Sequence, residues 1–179
     1  MSLTDEHLMI AVGKGDMAAF EQIVIRYQQF AWRIAYRYTG NDSDAEEIAQ
    51  EAFLRILDSA KDYQPSAKFS TYLYKVLANL CLDHTRKKRP QLVADFLVDQ
   101  ELADTPDSNL QMKERDQAVK SAVDSLPVRQ RLAVILRYYE NLSYAHIADA
   151  MNTSVKAVER LLARARKHLE SSLADFFEK

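Results

Sequence analysis

From Phe20 to Ile34 the apolar residues fall three or four apart: Phe20, Ile23, Val24, Tyr27, Phe30, Ala31 and Ile34. An α-helix gathers residues at that spacing onto one stripe. The rhythm returns at Ile48, Ala49, Ala52, Phe53, Ile56 and Leu57, then at Leu73, Val76, Leu77 and Leu80. No stretch of useful length alternates with a period of two, and three glycines and four prolines in 179 residues leave few places for hairpins. The fold expected is all-α.

Punctuation divides these helices. Thr4 caps a first helix whose opening turn holds Asp5 and Glu6, where carboxylates suit the helix dipole. Asp16 caps the next, and Gly40 ends it. Ser43 and Glu46 have capping-box spacing for a third helix. The segment Lys61–Ser66 is a loop with Pro65 as a stop, and a fourth helix runs from Lys68 to Pro90. Residues 91–109 are acidic and without period, a flexible linker with a short helical piece around Ala94–Leu102. A helix resumes near Leu110 with Val119, Ala122, Val123 and Leu126 on its core side. Pro127 stands in the first turn of another helix, Ser143 caps a short one, and Val155 opens the last. Two small helical domains are expected, 1–90 and 110–179.

Charge follows the same division. The chain totals −2, yet Met1–Ser59 is acidic, Ala60–Pro90 basic, Asp95–Asp124 acidic and Leu126–Glu170 basic. The fourth helix ends in Arg86, Lys87, Lys88 and Arg89. Such runs gain affinity for nucleic acid by displacing its counterions. Near the C-terminus, helix, three-residue turn and helix form a helix-turn-helix outline. Leu142, Ile147, Ala148 and Met151 anchor its first helix; Val155, Val158, Leu162 and Leu169 anchor its second. The opposite face offers Lys156, Glu159, Arg160, Ala163, Arg164 and Lys167, which suit phosphates and base edges. On this outline alone, a helical hairpin with a solvated charged face fits equally well.

Other chemistries are poorly provided for. No run of about 18 apolar residues spans a membrane, and the N-terminus has no basic and apolar signal pattern. Cys81 stands alone, which fits a reducing cytosol. Cys81 and His84 share a helix face, but no further Cys or His pair completes a zinc set. No phosphate-cradling glycine loop and no paired nucleophile and base are present. No cofactor and no catalytic centre are expected.

Two sets of motifs, in order, resemble extracytoplasmic-function sigma factors of the sigma-70 family. The C-terminal set is Leu126-Pro127, Arg131, Leu136-Arg137-Tyr138, Leu142-Ser143-Tyr144, Ile147-Ala148, Ser154-Val155, Val158, Leu162 and Arg164-Ala165-Arg166. The N-terminal set is "GDMAAF", "DAEEIAQEAFLRIL" and "FSTYLYKVLANLCLDHTRKKR", with Glu47 where the family usually has Asp and Tyr72 where it has Trp. Departures fall at Ala145, His146, Lys156, Ala157 and Glu159.

The resemblance implies an alternative sigma factor, not an enzyme, acting in the cytoplasm without membrane insertion of its own. Asp44, Glu47, Gln50, Glu51, Leu54 and Arg55 would bind the β′ coiled coil of core RNA polymerase, whose β flap is a second partner. The minus-ten element, as duplex and as melted non-template strand, would meet Phe69, Ser70, Thr71, Tyr72, Lys75, Asn79, Asp83, Arg86, Lys87, Lys88 and Arg89. A pocket of the Tyr63–Ser70 loop with Phe69 and Tyr72 would hold flipped bases. The minus-thirty-five element would meet Ser143, Ser154, Lys156, Ala157, Glu159, Arg160, Arg164 and Lys167. An anti-sigma factor would restrain both modules, and the acidic linker would run toward the RNA exit path. A free-standing helix-turn-helix repressor is the alternative, with no use for the Asp44–Arg55 face. A third class is a helical interaction protein with no role at DNA.

Overall fold

The computed structural model of the chain describes residues 3–88 and 110–177, and every regular element among them is helical. Helices α1 (Asp5–Gly13), α2 (Met17–Thr39), α3 (Asp42–Ser59) and α4 (Phe69–Lys88) form an N-terminal unit. Helices α5 (Leu110–Asp124), α6 (Val128–Val134), α7 (Tyr144–Ala150) and α8 (Val155–Phe177) form a C-terminal one. The linker with its expected Ala94–Leu102 piece, and Arg89, lie outside the described residues.

The caps are local and mostly where the sequence puts them. The Thr4 hydroxyl accepts from the His7 N–H, and the Asp16 carboxylate accepts from the Ala19 N–H at 3.0 Å. Gly40 closes α2 at φ 69°, in the left-handed region that glycine enters without strain. The expected Ser43–Glu46 box does not form. Asn41 takes the cap position at φ −135° and its side chain accepts from the Asp44 N–H at 3.0 Å, so Ser43 already sits inside the helix. Asn caps as well as Ser does, and the chain leaving Gly40 reaches Asn41 first. Pro127, expected in the first turn of α6, is instead its cap residue.

The stripes bury most of what their periodicity implies. Ile23, Ala31, Ile34 and Tyr38 of α2 meet Ile48, Ala52 and Ile56 of α3 and Leu73, Leu77 and Cys81 of α4. At roughly 1.5–3 kcal/mol for each large apolar side chain removed from water, this stripe supplies the driving force that helix propensity alone lacks. Burial pushes the Cys81 thiol up to about 12, as befits a small core residue. Gly13 is required by proximity, because a Cβ there would run into the Ala60 carbonyl. Two expected core residues are not core: Val119 is 38% exposed and Val155 is 42% exposed. Each stands one step off its stripe, which is carried by Ala122 and Val123 in α5 and by Val158, Leu162 and Ala165 in α8.

After Val134 the helix widens into a π turn over Ile135–Tyr139, where the Glu140 N–H reaches back to the Ile135 carbonyl at 3.2 Å. Such a turn inserts one residue and rotates the downstream side chains around the helix axis. Asn141 then takes φ 54° and the Leu142 N–H bonds the Leu136 carbonyl at 3.0 Å. Tyr139 and Glu140 are thereby delivered against the N-terminal unit.

The two units share one unbroken buried cluster. Arg131 of α6 donates to the Tyr38 carbonyl at 3.0 Å, and also to the carbonyls of Asp124 and Leu126. Arg37 lies 4.6 Å above the Tyr139 ring. Trp32 stacks on Tyr36 at 4.9 Å, and Lys120 of α5 lies 5.7 Å over Tyr36.

Candidate nucleic-acid and protein interfaces

The helix-turn-helix forms as its outline requires. Ser143 caps α7 by accepting from the His146 N–H at 3.2 Å, and the His146 ring lies 3.1 Å from the same hydroxyl. His146 thus approaches the cap from the position where a capping box would carry an acid. Met151 ends α7, Asn152 turns at φ 47°, and the Ser154 hydroxyl accepts from the Ala157 N–H at 3.2 Å to begin α8. Among the residues expected to read DNA, Ser143 and Ser154 therefore act as caps. Val158, Leu162 and Ala165 bury one side of α8, which leaves Lys156, Glu159, Arg160, Arg164 and Lys167 exposed and Ala157 half-buried. The Arg160 Nε donates to the Lys156 carbonyl at 3.3 Å. Arg166 belongs elsewhere, beside Tyr138, whose hydroxyl holds its guanidinium charge more firmly.

The residues expected at the minus-ten element divide into three groups. Phe69 is fully buried, its ring edge-on to Tyr27 at 5.0 Å, so it is a core residue and not a base contact. Tyr72 is half-buried, 5.7 Å from the Tyr63 ring, and shares a 2.5 Å hydrogen bond with the Ser59 hydroxyl. These aromatics close inward, and what the loop presents to solvent is Gln64 to Lys68. Ser70 and Thr71 are half-buried in the first turn of α4. Lys75, Asn79, Asp83 and Arg86 descend one face, where they meet the C-terminal unit. Lys75 pairs with Asp149 at 3.6 Å, while Asn79, Asp83 and Arg86 line a cleft opposite Val128, Arg129, Met151 and Asn152. Arg86 also lies 3.3 Å from Asp83, and Lys87 is exposed. Lys88 closes the helix.

The start of α4 is held from a distance. The Glu6 carboxylate accepts from the Phe69 N–H at 3.0 Å, so α1 supplies the cap of α4. That bond holds the Glu6 carboxyl below its ordinary value of 4.5. With its folded value depressed, Glu6 stabilises fully above about 4.5 and loses that contribution as pH falls through the folded value. Urea titrations of the native chain and of Glu6→Gln should differ in midpoint at pH 7 and converge in acid; parallel curves across that range would remove the cap from the account.

On α3, Glu47, Gln50, Leu54 and Arg55 are exposed and Glu51 is half-exposed, pairing with Arg55 at 2.9 Å. Leu54 is 56% exposed in the middle of these polar groups. Asp44 departs from the expected stripe. It lies 3.3 Å from the His84 ring with both side chains largely buried, and ties the start of α3 to α4.

Sequence reasoning missed Arg33, Arg37, Tyr74 and Glu140. Glu140, with its side chain only 5% exposed, lies 2.9 Å from Arg37, 3.8 Å from Arg33 and 3.2 Å from the Tyr74 hydroxyl. Arg33 and Arg37, four apart on α2, were the one available signal, a cation pair beside an apolar stripe.

A Sigma-70 region 2 model matches residues 23–91, and a Sigma-70, region 4 model matches residues 116–169. The ECF RNA polymerase sigma factor SigW of Bacillus subtilis is 32% identical over 179 residues, covering 92% of this chain and 94% of its own. The chain belongs to the extracytoplasmic-function sigma factors. A further relative is the ECF RNA polymerase sigma-E factor of Escherichia coli, 28% identical over 182 residues and covering 96% of this chain and 95% of its own. The fold of this sigma factor is that of CnrH in complex with the cytosolic domain of CnrY, at a TM-score of 0.69 and 23% identity over 97% of this chain and 98% of that one. It is likewise that of the sigma factor RpoE in complex with the anti-sigma factor NepR from Bartonella quintana, at 0.68 and 21% over 87% and 96%. In this sigma factor most of α2, with α3 and α4, lies within the region 2 match. Helix α7 and the exposed cationic face of α8 lie within the region 4 match. Helix α1, with its Glu6 cap, precedes the region 2 match. Among the described residues no helix is long and apolar enough to cross a membrane.

Proposed function

We propose that this sigma factor binds core RNA polymerase in the cytoplasm, directs it to promoters and opens them, and is restrained by an anti-sigma factor. Residues 1–90 act as region 2 and residues 110–179 as region 4. The polymerase face is Glu47, Gln50, Glu51, Leu54 and Arg55, seated on the β′ coiled coil; region 4 engages the β flap. Helix α8 reads the minus-thirty-five element through Lys156, Glu159, Arg160, Arg164 and Lys167. The Gln64–Lys68 loop and the Lys75–Asn79–Asp83–Arg86 row of α4 take the minus-ten element. The chain has no catalytic centre of its own: melting comes from holding unstacked bases, which needs pockets and not a nucleophile.

The observation that carries this reading is Leu54. An exposed leucine ringed by Glu47, Gln50 and Glu51 suits a protein partner, and the two carboxylates disfavour DNA, while the exposed face of α8 is cationic. A repressor needs the second surface and not the first. The test adds the purified chain to core polymerase on a promoter template. Start-site-specific transcripts are the expected result. Tight duplex binding by the chain alone, without effect on polymerase, would establish the repressor instead.

A further inference from the structure

Glu140 is a carboxylate removed from water, and taking such a charge out of solvent is costly unless cations and hydrogen bonds receive it. Its receivers all come from the other unit: two guanidinium groups and a phenol, at 2.9 Å, 3.8 Å and 3.2 Å. Beside Tyr74, Lys75 repeats the pattern by meeting Asp149 at 3.6 Å. The N-terminal unit therefore presents a socket of two guanidinium groups and one hydroxyl, filled by Glu140, and beside it a separate cation, Lys75, paired with Asp149. Paired arginines with a hydroxyl donor match phosphate oxygens as well as carboxylate oxygens.

The socket continues the α4 row. Lys75, Asn79 and Asp83 are spaced at four residues, so they share one side of the helix. The C-terminal unit covers that side, with Met151 and Asn152 forming the opposite wall of the cleft. The C-terminal unit narrows access to the row while Glu140 and Asp149 are in place, and their departure frees Arg33, Arg37 and Lys75 from their carboxylate partners.

We propose that Arg33, Arg37, Tyr74 and Lys75 form a binding site for nucleic-acid backbone phosphates, which Glu140 and Asp149 occupy in the closed chain. The site rests on the reading of α4 as a promoter-binding helix. Opening exchanges one anion for another, so the closed chain resists DNA without an inhibitor, and phosphates compete with the chain's own carboxylates. The apparent affinity of a chain that is mostly closed is lowered by the fraction that is open.

The test measures binding of the full chain to a labelled fork oligonucleotide, half duplex and half single strand with a minus-ten sequence, across a salt series. Glu140→Gln with Asp149→Asn should tighten binding by about tenfold. Asp149 is 56% exposed, so Asp149→Asn alone is a second variant that leaves packing untouched, and it should tighten binding in the same direction. In the doubly opened chain, Arg33→Ala with Arg37→Ala should reduce the slope of log affinity against log salt by about 1–2. Unchanged affinity in both opened variants overturns the occupancy by carboxylates. A slope unmoved by loss of the arginines overturns the phosphate site. Either result alongside normal promoter-directed transcription sinks the socket alone, whereas absence of transcription and of fork binding in every chain sinks the functional reading and the socket with it.

Discussion

A chain carrying Gln50→Ala and Glu51→Ala should keep its fold and its binding to minus-thirty-five duplex, and should lose promoter-dependent transcription by core polymerase. Both side chains leave α3 on its solvent side, flanking the exposed Leu54. The Glu51–Arg55 pair at 2.9 Å is a surface pair one turn apart, and such pairs contribute about 0.3–0.5 kcal/mol to stability. Loss of two interface hot spots at about 1–2 kcal/mol each would amount to about 2–4 kcal/mol, a roughly thirtyfold to thousandfold loss of complex. Run-off transcription with limiting polymerase, beside thermal melting of each chain, separates these effects. Transcripts at wild-type level from the double variant would remove α3 as the polymerase face.

Alanine at Arg160 and at Arg164 should each weaken a minus-thirty-five duplex by roughly 1–3 kcal/mol if the guanidinium meets a base edge. A phosphate contact would show a different signature: a smaller loss on every sequence and a salt slope lower by about one. Both residues are exposed on α8, opposite the buried Val158, Leu162 and Ala165. Titrations on the cognate duplex and on a scrambled one, at two salt concentrations, tell the two apart. Unchanged affinity in both variants would move the reading face off this helix.

Local signals are legible because their causes are local. Thr4, Asp16, Gly40 and Ser143 bound helices through bonds that span three or four residues. Asn41 displaces Ser43 because two competent caps stand within one turn and only the path out of α2 chooses between them. The edges of the stripes are harder. Phe69 reads as a base contact in sequence, and packing across helices, against Tyr27 far back in the chain among others, turns its ring into core. Val119 and Val155 read as core because periodicity locates a stripe but not its width. Glu140 is illegible, since Arg37 lies 103 positions away and no spacing rule links them. The same holds for Asp44, whose place on an apparent polar stripe hides its contact with His84. Sequence therefore points to both candidate interfaces of the chain but not to the intramolecular contact that covers one of them.

Trp32 is the only indole in the chain, and its ring lies flat on Tyr36, which in turn sits beneath the ammonium of Lys120. A separation of α5 from α2 would strip that ammonium from the stack and change the polarity the indole meets. Intrinsic fluorescence should therefore report a parting of the two halves, from a chromophore stacked one ring away from the seam.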